Sequence, residues 1–314
     1  MDTLFNIKPY NIFPEWDEYE VYHDESKDNH VIHAFLFIPT RIKPIILSQI
    51  GKIRAKYNND SKLHYNDLTG TTENIKHKTA KDILILMEDA LRSKRHNKHL
   101  WGIIPPCCKF VLFFKRNTST MSSLYYGSAD KTEIYTRKVE TLLRIGLKSG
   151  LHFLFGDDHK VKLTGFYTDG IGWSRPLDKK RIIGRLHPDK EAFIDFDHSM
   201  DIIPILSNHK SPDCSDQNRA HLLQITDLLL GAFKACVFQC DKGSFKYNIA
   251  TPIRQILLKQ NKRKGFFRNS GHHKSFSLTK SSICKNGKWE YEQFSLHDEG
   301  TPLSKHMVAL PFSS

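Results

Sequence analysis

At 314 residues the chain is long enough to bury a sizeable core, as one large domain or two smaller ones. Its net charge of +13 and pI near 9.3 point to an anionic partner, nucleic acid first and an acidic membrane surface second. The opening MDTLFNIKPYNIFPEWDEYE has no basic segment leading into an apolar one, which argues against a secretory signal, and Cys107, Cys108, Cys214, Cys236, Cys240 and Cys284 show no paired CxxC spacing, which argues against zinc and for reduced thiols in a cytoplasmic protein.

Glu18 to Asp24 (EYEVYHD) has strand composition and runs into the turn-prone ESKDNH. His30 to Ile38 (HVIHAFLFI) follows and stops at Pro39, so the two predict a β-hairpin. Ile42 to Tyr57 predicts a helix with Pro44 in its first turn. Glu73 to Lys94 predicts a longer one, capped by Thr71 or Thr72 and basic at its C-terminal end. Phe110 to Lys115 (FVLFFK) is a short apolar strand. Asp130 and Glu133 resemble a capping box opening a helix that runs to about Lys148, before Gly150.

Val161 to Asp169 (VKLTGFYTD) is a further strand, ending at an Asp-Gly pair. From near Asp216 the chain predicts one more helix. Its apolar stretch, Leu222 to Cys240, is interrupted by Gln224, Asp227, Lys234 and Gln239, so it reads as a buried helix and not a membrane span.

Strands and helices alternate through the first three-quarters of the chain, which predicts an α/β domain with a mixed β-sheet flanked by helices over residues 1–240. The rest differs. From Asp241 to Glu290 there are twelve Lys or Arg against two acids, and Asn286-Gly287 separates SFSLTKSSI from WEYEQFSL as a hairpin turn does. Residues 241–314 therefore predict a basic, strand-rich C-terminal extension packed on the main domain. Within it, Phe266 and Phe267 lie among Lys259, Lys262, Arg263, Lys264 and Arg268. That mixture suits a single nucleic-acid strand and equally a solvated loop with core phenylalanines. Arg92, Lys94 and Arg95 form a second basic patch, or simply cap a helix.

Three acids occupy informative places. Asp24 closes the first strand and Asp169 a later one, where ligands gather beyond the carboxyl ends of strands. Asp227 sits in HLLQITDLLLGAF on a thin polar stripe with Gln224, Gly231 and Lys234, three or four residues apart on an otherwise apolar helix. Taken singly, each has an ordinary reading as a turn residue or solvent-facing edge. Together they predict carboxylates whose mutual repulsion a divalent cation would relieve, with hard oxygen ligands suiting Mg²⁺ or Mn²⁺. Two such ions about 3.5–4 Å apart can activate water and stabilise a leaving oxygen of a phosphodiester. Glu25 follows Asp24 immediately, so the two share a face only if the strand breaks there. His64, in KLHYNDL, is either a hydrogen-bonded structural residue or a proton donor and phosphate contact.

The segments VYHDES, KLHYNDL, FYTDG, FIDFDHS and HLLQITDLLLGA resemble, in order, those of the domain of unknown function 3800 family, which is placed with ribonuclease-H-like proteins. The family's hallmarks are an opening strand ending Asp-Glu-Ser, a later strand ending in Asp, and a closing helix of the form Leu-Gln-x-x-Asp-Leu. The resemblance spans roughly Tyr19 to Ala235. It implies a ribonuclease-H-like fold, with Asp24, Asp169 and Asp227 as ligands of Mg²⁺ or Mn²⁺, expected as a pair of ions. It makes Glu25 the fourth acid, although in ribonuclease H that acid comes from a helix, where Glu73, Glu88 or Asp89 could supply it. It further implies that Gln224 and Ser26 support the site and that His64 lies near it.

The expected function is metal-dependent hydrolysis of nucleic acid, RNA preferred over DNA, by a cytoplasmic protein with no membrane association, in company with a protein partner in a multi-component system. The competing readings are a non-catalytic nucleic-acid- or protein-binding module and, third, a phosphoesterase acting on a small nucleotide.

Overall fold

The computed structural model describes residues 17–27, 30–70, 72–91, 108–116, 130–155, 161–170, 177–184, 186, 194–196, 200–238, 244–261, 276–283 and 289–293. Their centre is a hairpin. β1 (Asp17–Lys27) pairs antiparallel with β2 (His30–Pro39), and β2 with β3 (Lys109–Arg116). These are the Val-, Ile- and Phe-rich runs of the sequence, and both faces are buried. On the other side of β1, β4 (Val161–Asp169) joins in parallel and carries two short parallel neighbours, β5 (Ile194–Phe196) and β6 (Ile202–Ile205). β7 (Phe276–Ile283) lies parallel to β3 and pairs antiparallel with β8 (Trp289–Gln293). All eight strands belong to one mixed sheet.

Helices cover both faces, so the protein is α/β. One face packs α1 (Lys43–Lys56), α2 (Ile75–Ala90) and α5 (Gln217–Phe238) over Tyr22, Ala34, Leu36, Phe110, Leu112 and Tyr167. The other packs α3 (Lys131–Phe155) and the single-turn α4 (Lys179–Ile182) over Val21, Phe35, Phe37, Val111, Phe113 and Phe166. Residues facing the two layers alternate along β1, β2 and β3, as a pleated strand requires. α6 (Phe245–Ile249) and α7 (Thr251–Asn261) pack against α2 and α5, and β7 extends the main sheet beyond β3.

Three boundaries differ from the sequence expectation. β1 does not stop at Asp24 but continues through Glu25 and Ser26, because β2 offers an unbroken ladder to pair with. α2 begins at Ile75, not Glu73. Its cap is Asn74, whose side chain accepts the His77 N–H while His77 Nδ1 accepts the Asn74 N–H, a closed reciprocal box that outcompetes a threonine. α3 runs through Gly150 to Phe155. A Cβ at Gly150 would stand 2.5 Å from Val111 Cγ2, so this glycine marks a close approach of helix to sheet and not a stop. Among the described residues α5 alone is long and apolar enough to cross a membrane, and 72% of its most apolar window is buried inside the protein.

Candidate metal centre

β1 and β4 share a parallel register through Tyr22 with Tyr167 and His23 with Thr168. Asp24 and Asp169 are the next residues on each strand, so two acids leave the ladder side by side. The pleat sends them to the face of Tyr22 and Tyr167, whose rings stack there with centroids 5.3 Å apart. α5 crosses this face in contact with β1, β2 and β4. Asp216 Oδ1 closes the first turn of α5 by accepting the Arg219 N–H at 3.0 Å, and Leu222, Leu223, Leu228, Leu229 and Phe233 bury its apolar sides, at roughly 2 kcal/mol each. That packing fixes the rotation of the helix and brings Asp227 against Asp24.

The loop between α1 and α2 is pinned along α5. Gln224 Oε1 accepts the Leu63 N–H at 3.0 Å, and Asp227 Oδ2 accepts the Tyr65 N–H at 2.6 Å. The Tyr65 ring then lies on Gly231, where a Cβ would come within 2.1 Å of Tyr65 Cγ. His64 consequently stands over Asp227, with Nε2 3.3 Å from Asp227 Oδ1 and Nδ1 3.7 Å from Asp67 Oδ1.

Gln224 is almost wholly buried and uses all of its hydrogen-bonding capacity. Besides Leu63, its oxygen accepts from Arg54 Nη2 at 2.7 Å, and its nitrogen donates to the Ser207 carbonyl at 2.6 Å and to His209 Nδ1 at 3.0 Å. Because Arg54 and the Leu63 N–H can only donate and the Ser207 carbonyl can only accept, the amide has one orientation. His209 Nδ1 must therefore accept, which places its proton on Nε2, facing Asp60 Oδ1 at 3.1 Å. Ser207 in turn donates from Oγ to Asp169 Oδ2 at 2.8 Å. One glutamine thus ties the loop on Asp227 to the loop on Asp169.

The electrostatics are those of crowded carboxylates. Burial raises Asp24 well above the usual carboxylate range. The charges of Asp227 and then Asp169 add to this, against a partial offset from the Glu25 N–H donated to Asp24 Oδ1 at 2.8 Å. Asp24 and Asp227 are in hydrogen-bond contact. Burial raises Asp227 as well, against partial offsets from His64, the Tyr65 N–H, the Asp24 hydrogen bond and Lys62, so of the two Asp24 is the more strongly raised and is the donor in their shared hydrogen bond.

The sequence therefore brings Asp24, Asp169, Asp227 and His64 to one place. Glu25 does not join them. β1 is continuous there, with Asp24 opposite Ala34 and Glu25 opposite His33, so Glu25 points to the other face of the sheet, that of the buried His23–His33 pair. The expectation of Glu25 as a fourth ligand is corrected accordingly. Ser26 returns to the acid face but touches Lys234, whose Nζ donates to its Oγ at 3.1 Å. Of the expected nucleic-acid stripe, Lys259 falls on α7 with its side chain outside the described residues, and Lys262, Arg263, Lys264, Phe266, Phe267 and Arg268 lie outside them altogether. Ser207 and the Tyr65 N–H were not legible in sequence. One sits in an aperiodic loop and the other is a main-chain group.

Among the described residues no three His, Cys, Asp or Glu side chains already stand in a geometry that closes round a metal ion. The donor set is nevertheless of the right kind, since carboxylate oxygens from two strands and a helix are hard ligands, and a cation would relieve the repulsion that the proton on Asp24 now relieves. No family model matches the chain, and no curated protein sequence matches it.

Proposed function

We propose that the chain is a ribonuclease-H-like, divalent-metal-dependent nuclease related to the domain of unknown function 3800 family, acting on phosphodiester bonds of nucleic acid, RNA in preference to DNA, in the cytoplasm. One observation carries the reading. Asp24, Asp169 and Asp227, singled out on three segments distant in sequence, meet at the carboxyl ends of parallel strands, close enough for two of them to raise the third. These three would hold Mg²⁺ or Mn²⁺, which when bound supplies activation of water and stabilisation of charge on the leaving oxygen. His64, fixed between Asp227 and Asp67, is placed to give a proton to a departing oxygen or to contact phosphate. Ser207 and Gln224 keep the loops in register, and the net charge of +13 suits a polyanion.

A second reading has its own support. The direct hydrogen bond between Asp24 and Asp227 would suit a proton-bridged structural latch in a non-catalytic nucleic-acid- or protein-binding module. The deciding experiment incubates single-stranded RNA, structured RNA, hybrid, single-stranded DNA and duplex DNA with the protein and Mg²⁺ or Mn²⁺. The nuclease reading expects cleavage that disappears with chelator and in Asp227→Asn, while strand binding survives. Intact substrates throughout, beside an authentic ribonuclease that cuts them, would favour the module.

A further inference from the structure

The loop between α1 and α2 meets α5 through two of its N–H groups, Leu63 on Gln224 and Tyr65 on Asp227. Two loop residues thus match one turn of helix, which requires the segment to run extended, and His64 between them has the extended φ of −139° and ψ of 132°. Successive side chains of an extended segment leave on opposite sides. Leu63 and Tyr65 turn inwards and are buried, so Lys62 leaves on the side of His64, and both are half-buried there. The acids nearest to Lys62 in the chain are engaged elsewhere. Asp60 faces His209 Nε2 at 3.1 Å and Lys210 Nζ at 2.9 Å, and Asp67 faces His64. Lys43 and Lys56, on α1, are matched by Glu20 and Asp82, each at 2.8 Å. Among the described residues no carboxylate stands within ion-pair distance of Lys62 Nζ. Burial raises Asp227, and Lys62 is among the groups that oppose this, so its charge faces the acid across a wider gap. An ammonium placed so repels a cation at the acids and leaves room for an anion's oxygen between.

We propose that Lys62 is a further catalytic residue, whose ammonium contacts a non-bridging oxygen of the phosphodiester held at Asp24, Asp169 and Asp227. This deepens the nuclease reading and rests on it for the identity of the substrate. Lys62 keeps its proton and forms no bond to phosphorus. It offsets the negative charge that gathers on the phosphoryl oxygens in the transition state, from the side that His64 also occupies.

The test pairs a metal readout with a cleavage readout, with thermal unfolding of each variant alongside. Calorimetric titration with Mn²⁺ alone should show Lys62→Gln binding the ion several-fold more tightly than wild type, because a charge that repels it is gone. With labelled single-stranded RNA and saturating Mn²⁺, kcat of the same variant should fall by about 10²-fold while KM changes far less. Lys62→Arg should return both readouts towards wild type. Lys56→Gln should alter neither, because the Lys56 charge is matched by Asp82. A damaged site would lose metal and rate together, so the opposed directions are what mark the role. In a folded Lys62→Gln protein, an unchanged Mn²⁺ affinity, an unchanged kcat or a fall in both overturns the proposal, and a wild type that still cuts keeps the nuclease reading standing. A wild type that binds Mn²⁺ and cuts nothing removes the nuclease reading, and Lys62 loses its substrate with it.

Discussion

Replacing Asp24 by Asn separates the charge of the acid cluster from its shape. The amide oxygen can still accept the Glu25 N–H and the amide N–H can still donate to Asp227, so the variant mimics the protonated carboxyl that burial and the charges of Asp227 and Asp169 favour. In chelator, the wild-type folded state keeps a proton on Asp24 that the unfolded chain, with an ordinary carboxylate near 3.8, has already released. With more protons bound in the folded than in the unfolded state, stability must fall as pH rises from the usual carboxylate range through the folded pKa of Asp24. One proton sets the limiting slope at about 1.4 kcal/mol per pH unit. For comparison, two full charges 4 Å apart repel by about 4 kcal/mol at an effective dielectric of 20, so the effect is large enough to measure. Chemical denaturation at a series of pH values should therefore show wild type losing stability towards alkaline pH and Asp24→Asn following a flatter line. Saturating Mn²⁺ should remove the wild-type loss and add about 2.7 kcal/mol at a hundredfold excess over its dissociation constant, with little effect on the variant. Parallel pH profiles for the two proteins would refute the assignment of the proton to this cluster.

Two further substitutions probe its construction. Gly231→Ala would ordinarily gain up to about 1 kcal/mol of helix propensity. Here the added carbon meets the Tyr65 ring, held also by its hydroxyl on the Lys246 carbonyl, so a net loss of about 1–3 kcal/mol in urea denaturation is expected, and an unchanged midpoint would count against the packing described. Glu25→Gln should leave Mn²⁺-induced thermal stabilisation intact while Asp169→Asn diminishes it. The opposite ranking, read by calorimetry, would return Glu25 to the acid face.

Much of the fold is written in short-range pattern. The alternation and β-branched content of β1, β2 and β4 mark those strands, and β4 spans Val161–Asp169 as the sequence implies. Pro44 sits in the first turn of α1, as its missing N–H allows. The stripe on α5 is likewise real, but its meaning is not local. Gln224 is buried because Arg54 of α1 and Leu63, Ser207 and His209 of two loops converge on it, and no periodicity announces loop geometry. The same limit explains the misplacement of Glu25. Its side depends on whether β1 ends at Asp24, and the ladder offered by β2 decides that, against a turn-like composition in ESKDNH. Gly150 fails as a stop signal for a related reason, since what holds it in α3 is the distant side chain of Val111.

The acid cluster poses a choice between two positive charges. With a proton on Asp24, Asp24 and Asp227 satisfy one another by a single hydrogen bond. Asp227, although burial raises it, is furnished with His64, the Tyr65 N–H and Lys62, all of which oppose that rise, and Ser207 Oγ donates to Asp169 Oδ2. A latch sharing one proton also keeps its acceptor ionised, so these groups serve it as well. A site that must surrender the proton to a cation draws on them further, because ligation requires deprotonated oxygens on Asp24 and Asp169 too, and every group favouring an anion lowers the cost of reaching that state. What separates the two occupants is therefore the response to Mn²⁺: a cation site gains stability from it as the proton leaves, and a latch does not.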